Sequence, residues 1–113
     1  MIDIKFRYIW AFKSMFVKNI FTIDQIEHGA VSDFVCSDEF PSYPIYGIKS
    51  QFTGLKDKNG VDIYESDVID AQYNYMGKIV VKFKGGKFNI ADFCLAKCVV
   101  IGNTHENPEL LGG

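Results

Sequence analysis

Three groups of side chains in this 113-residue chain have the composition and spacing of chemical sites. The first is acidic. Asp62, Glu65, Asp67 and Asp70 fall within 62–70 with no base among them. Neighbouring carboxylates can act as general acid and base or hold a hard cation, so Asp67 and Asp70 define one reading, a metal-dependent hydrolase. No histidine or nucleophile accompanies them in sequence, and a solvated turn and strand edge is the plainer account. The second group is Cys36, Cys94 and Cys98 with His28 and His105. Zinc takes four nitrogen or sulfur ligands, usually with a two-residue spacer in one knuckle. Cys94-x₃-Cys98 has three, so no metal is expected and the cysteines read as inert. The third group is basic. Lys78, Lys82, Lys84 and Lys87 carry four charges with no acid between them, and Tyr73 and Tyr75 lie just before. A basic strand with aromatics can follow a nucleic-acid backbone and stack bases. The plainer account is a lysine-rich edge that discourages strand pairing. No Gly-rich loop precedes a helix and neither histidine falls in a triad, so no catalytic, cofactor-binding or metal-ligating residue is assigned.

These groups must be held by short strands. Ile2, Ile4, Phe6, Tyr8, Trp10 and Phe12 alternate with Asp3, Lys5 and Arg7, a period of two that predicts a strand. Lys13-Ser14 turns the chain into a second β-rich run, Met15 to Ile23. Thr22 and Gln25 have the spacing of a capping box for one helical turn through His28. Residues 36–44, with two prolines, read as a connection. Asn59-Gly60 is a reverse-turn signal. Val68 to Tyr75 reads as a strand ended by Gly77. Ile79, Val81 and Phe83 alternate with Lys78, Lys82 and Lys84, and Gly85-Gly86 connects them to a return strand through Phe88 and Ile90. Asn107-Pro108 places an N-cap before a proline at the first helical position. The Tyr8, Trp10 and Phe12 stripe reads as core, with an interface as the alternative.

Composition bounds the function. The net charge is −2: five Lys/Arg against six Asp/Glu in residues 1–50, and seven against eight in 51–113. That excludes binding to nucleic acid through bulk charge and offers no long-range attraction to it. At 48% apolar residues the chain can bury a core. No charged and apolar leader opens it, and no apolar run approaches the roughly 18 residues of a membrane helix, so no membrane association is expected. Three cysteines, an odd and sparse set, suit a reducing cytoplasm.

Three stretches together resemble the YopX family of phage and prophage proteins. The first is Ile4-Lys5-Phe6-Arg7. The second is Gln51-Phe52-Thr53-Gly54-Leu55-Lys56-Asp57-Lys58-Asn59-Gly60, continuing through Ile63-Tyr64-Glu65 and Asp67. The third is Val100-Ile101-Gly102-Asn103 with Glu106-Asn107-Pro108-Glu109-Leu110-Leu111. The resemblance implies one domain over 1–113. It would have a β-rich N-terminal region (1–47) and an SH3-like barrel half (48–113), and it brings no catalytic residues to carry over. Ser66 stands where the family usually has glycine, and Thr104 where an aliphatic is common. Gly54, Gly60, Tyr64, Asp67, Gly102, Asn107 and Pro108 read as structural: glycines for turns, Tyr64 for core, Asp67 for capping backbone N–H groups.

The expectation is a mainly β, non-enzymatic phage or prophage accessory protein without cofactor. It would work in the cytoplasm of a bacterial host through contacts with a host or phage protein, as a homo-oligomer. A nucleic-acid-binding module using the Lys78–Lys87 hairpin is the alternative, and the Asp67/Asp70 hydrolase the third reading.

Overall fold

A computed structural model describes residues 4–38, 40–41, 44–71, 77–90 and 95–111. The chain forms two compact units, Met1–Gln51 and Phe52–Gly113. The boundary expected at 47/48 falls inside one long strand.

In the first unit β1 (Lys5–Ala11) is the central strand. It pairs antiparallel with β2 (Phe16–Thr22) on one side and with the start of β3 (Tyr46–Lys56) on the other. The Phe12 N–H donates to the Met15 carbonyl at 2.8 Å and closes the β1–β2 turn where Lys13-Ser14 predicts it. Two short helices follow, α1 (Ile23–Glu27) and α2 (Ala30–Val35). The capping box at Thr22 is present in both directions. The Gln25 N–H donates to Thr22 Oγ1 at 3.2 Å, and the Thr22 N–H donates to Gln25 Oε1 at 2.9 Å.

The aromatic stripe from Tyr8 to Phe12 packs against other rings of the first unit, with Trp10 buried and Tyr8 and Phe12 half-buried. Tyr8 stacks on Trp10 with ring centroids 5.6 Å apart. Trp10 meets Phe34 of α2 at 5.5 Å and Phe40 at 5.1 Å. Phe12 meets Phe40 at 5.6 Å, and Phe21 of β2 meets Tyr8 at 5.4 Å. Each such pair adds about 0.5–1.5 kcal/mol beyond its buried area. On that face Trp10 is buried against Phe34 of α2 and Phe40, while Tyr8 and Phe12 stay half-buried. Trp10 also lies against Gly47, its register partner on β3, where a Cβ would come within 3.0 Å of the indole.

In the second unit, the end of β3 pairs with β4 (Asp62–Tyr64). β5 (Asp67–Ala71) is the centre of a three-stranded antiparallel sheet, between β6 (Gly77–Val80) and β9 (Cys98–Asn103). β7 (Phe83–Lys84) and β8 (Lys87–Phe88) form a two-stranded ribbon. The core is Ile63, Ile69, Ile79, Val81, Ile90 and Cys98, with Leu55, Phe88, Leu95 and Val100 packed against it. 3-10 turns span Leu95–Lys97 and Pro108–Leu111.

The fold is mainly β, with antiparallel sheets. None closes into a barrel among the described residues, and the SH3-like closure expected for 48–113 is not confirmed. Gly77 corrects the sequence reading. It opens β6 instead of ending the preceding strand: it has φ 65° and pairs with Ala71 of β5. The strand expected to reach Tyr75 is described only to Ala71, and Tyr73 and Tyr75 lie outside the described residues. The expected continuous strand from Ile79 to Lys84 is interrupted after Val80. Asn89 spans the break: its Oδ1 accepts the Lys82 N–H at 3.0 Å and its Nδ2 donates to the Val80 carbonyl at 2.8 Å.

Candidate functional site

The shared-motif residues form three polar locks. Asp57 closes the turn between β3 and β4. Its Oδ1 accepts the N–H groups of Asn59 (2.8 Å) and Val61 (3.0 Å). Its Oδ2 accepts the Val100 N–H of β9 at 2.9 Å. The Lys58 N–H reaches the Cys98 carbonyl at 3.0 Å, so the turn is tied to β9 twice. Burial pushes the Asp57 carboxyl up. The N–H donors of Val100, Val61 and Asn59, with the Lys58 charge, outweigh it and hold the pKa below its ordinary value. Gly60, with φ +78°, has open space where a Cβ would point, so the backbone angle alone selects glycine there.

Asp67 is the second lock. It is 1% exposed, and its Oδ2 accepts the Tyr64 N–H at 2.8 Å. This is the backbone-capping role expected from sequence. The turn it closes places Ser66 at φ +74°, a conformation that costs a residue with a Cβ roughly 1–2 kcal/mol. The backbone groups of Ser66 hold it there: its N–H donates to Val81 at 2.8 Å and its carbonyl accepts from Thr104 at 3.0 Å.

Asn103 is the third lock. Its Oδ1 accepts the N–H groups of His105 (3.0 Å) and Glu106 (2.8 Å), and its Nδ2 donates to Glu106 Oε1 at 2.9 Å. Asn107 precedes the Pro108–Leu111 turn, but its side chain does not take the N-cap role expected of it. Its side-chain oxygen turns back to accept the Asn103 N–H at 3.2 Å. Gly102 has no room for a side chain, since a Cβ would lie 2.5 Å from Asn107 Oδ1 and 2.7 Å from Leu110. Sequence reasoning named Asp67, Asn107 and Gly102 for structure. It passed over Asp57 and Asn103, whose signal was an Asx residue two positions before a turn residue.

The candidate chemical groups separate. Asp67 and Asp70 are three apart on β5, so their side chains leave opposite faces of the strand. Asp67 is spent on Tyr64, Asp70 is in register with Lys78, and Asp62 pairs with Lys56 at 3.0 Å. This corrects the shared carboxylate site of the hydrolase reading. Cys98 is fully buried in the apolar core and Cys36 is exposed, while Cys94 lies outside the described residues. His28 closes the end of α1, with Nδ1 2.8 Å from the Asp24 carbonyl. Among the described residues no three His, Cys, Asp or Glu side chains gather as a metal site requires. Lys78, Lys82, Lys84 and Lys87 are all exposed. Lys78 belongs to β6 and the other three to the β7–β8 ribbon and its entry. Among the described residues no helix is long and apolar enough to cross a membrane.

The described residues thus form a small antiparallel β protein in which Asp57, Asp67 and Asn103 accept backbone N–H groups at turns. The chain belongs to the YopX family: the family model described as YopX protein matches residues 9–112. It is also similar to a solved structure, protein EF1440 from Enterococcus faecalis. The two are 26% identical over 98% of this chain and 99% of that one, with a TM-score of 0.52. No curated protein matches.

Proposed function

We propose that this protein is a non-enzymatic phage or prophage accessory protein. It acts in the cytoplasm of a bacterial host through protein contacts and self-association, and the second unit is an SH3-like variant with open sheets. The observation that carries the reading is apolar surface on the first unit. Phe16 and Ile20 of β2 are 39% and 47% exposed, and Tyr46 of β3 is 43% exposed. Phe16 and Tyr46 flank Ala11 in register, and alternation puts Ile20 on the same face as Phe16. Exposed apolar side chains gathered on one sheet face are the usual mark of a protein contact. The consumption of Asp57, Asp67 and Asn103 by backbone donors supports a binding role over an acid–base one.

The test is affinity capture with the wild type and with Phe16→Thr/Ile20→Thr, which keeps strand propensity while removing apolar surface. We expect at least one host or phage protein to be retained by the wild type and lost with the variant. Identical captures would overturn the reading.

A further inference from the structure

We propose that Asn59-Gly60, at the tip of the β3–β4 turn, is a site of self-modification. When the turn opens, the Gly60 nitrogen attacks the Asn59 side-chain amide, and the product no longer closes the Asp57 lock. Asn59 alone among the six asparagines precedes a glycine. Both residues are exposed, and nothing lies within 4 Å of where a Gly60 Cβ would stand, so no bulk shields that nitrogen. The side chains of Asn19, Asn89, Asn103 and Asn107 are instead held in hydrogen bonds to the backbone. Ile20, Ile90 and Thr104 crowd the nitrogen that follows three of them with branched side chains, and Pro108 has no N–H to lose.

The step needs only the chain and water. The Gly60 nitrogen gives up its proton and bonds to Asn59 Cγ. The Cγ–Nδ2 bond breaks, and Nδ2 leaves as ammonia, which closes a succinimide ring. Water then adds to one of the two ring carbonyls and opens the ring. One opening gives aspartate. The other gives isoaspartate, in which the main chain runs through Cβ and Cγ. Nothing is oxidised or reduced.

The folded turn guards the reacting nitrogen. The Gly60 N–H donates to the Asp57 carbonyl at 3.0 Å, so its proton is held. The N–H groups on either side, of Asn59 and Val61, are fixed on Asp57 Oδ1 at 2.8 and 3.0 Å. The Asp57 N–H donates to the Val61 carbonyl at 3.0 Å and closes the same turn. Conversion therefore proceeds from the locally open population, which the free energy of opening sets. Both products oppose reclosing. Isoaspartate lengthens the main chain between residues 59 and 60, so Asp57 and Val61 no longer meet in register. Aspartate puts a second negative charge two residues from the Asp57 carboxylate, a repulsion the neutral amide avoids. The change is one-way, so the chain records how often its turn has opened. This inference is independent of the protein contacts of the first unit.

The test incubates the full chain in mildly alkaline buffer, with and without denaturing urea, and follows each asparagine by peptide mapping. Enzymatic methylation of isoaspartate is the second readout. We expect faster conversion at Asn59 than at any other asparagine, with isoaspartate among the products and a slower rate in the native chain than in urea. Asp57→Ser leaves one acceptor oxygen for three donors. It should speed native conversion at Asn59 about five- to a hundredfold, the rise in open population that an unsatisfied donor implies. Circular dichroism checks that this variant is folded. If it is not, the native and urea rates of the wild type decide alone. Four outcomes would each overturn the proposal: equal rates with and without urea, equal native rates in the wild type and a folded Asp57→Ser, faster conversion at another asparagine, or no conversion of the native wild type after several half-times of the unfolded chain.

Discussion

The family motif is held together by single side chains that accept backbone N–H groups, and Asp57 carries the most. Its folded-state pKa is depressed, so its contribution to stability is present above the ordinary value of 3.8 and is lost as pH falls through the folded-state pKa. Asp57→Asn keeps one acceptor oxygen and loses the other, which leaves at least one of the Asn59, Val61 or Val100 donors unsatisfied. The expected cost is about 1–3 kcal/mol at pH 7. Urea unfolding of both proteins from pH 7 to pH 2.5 should show a gap that is full at neutral pH and narrows below about pH 3.8, as the wild type protonates. A gap of constant size would mean that shape, and not the carboxylate charge, is what the turn needs. This residue also marks the limit of what was legible at its scale. Asn59-Gly60 announced a turn, but the Val100 donor lies 43 residues away, and no local pattern displays such a partner.

Elements were legible where their chemistry is local. The Thr22–Gln25 capping box, the Lys13-Ser14 turn and the Gly85-Gly86 hairpin each depend on residues within a few positions of one another. α2 was not legible. Gly29 supplies no side-chain cap, Val31 and Val35 are β-branched, and the helix is held by Phe34 against Trp10, Phe21 and Phe40. Gly77 misled because a glycine both ends and begins strands, and only its pairing with Ala71 decides which. At the Gly85-Gly86 tip both residues have positive φ, 63° and 85°, as a two-residue hairpin connection demands. Gly85→Val puts a β-branched residue in that conformation at a cost of roughly 1–2 kcal/mol. There is open space around the site, so backbone strain and not a clash would be responsible. Thermal melts should show a lower midpoint for Gly85→Val and little loss for a surface substitution such as Lys84→Thr. Equal midpoints would mean that the ribbon contributes nothing to cooperative unfolding.

For the whole molecule, the open question is what covers the apolar residues of the first sheet. β2 is an edge strand, and two of its N–H groups are already used: Ile20 donates to Asn19 Oδ1 at 2.8 Å and Thr22 to Gln25 Oε1 at 2.9 Å. Lys18, between Phe16 and Ile20, is exposed. Side-chain capping and a central lysine both discourage open-ended strand addition. They leave Phe16, Ile20 and Tyr46, at the margins of a face whose central residues Ile9 and Ala11 are buried, as the apolar surface available for association. A second copy presenting the same face across a two-fold axis would cover all three residues and close the assembly without leaving a further edge. Light scattering at micromolar concentration should therefore give a mass above one chain. Phe16→Thr/Ile20→Thr should return it to one chain with its circular dichroism unchanged, because both side chains are already exposed in the single chain and contribute little to its core. A wild type that is monomeric at every concentration would remove self-association and leave that face to a different protein. A double variant that stays oligomeric would place the interface elsewhere in the chain.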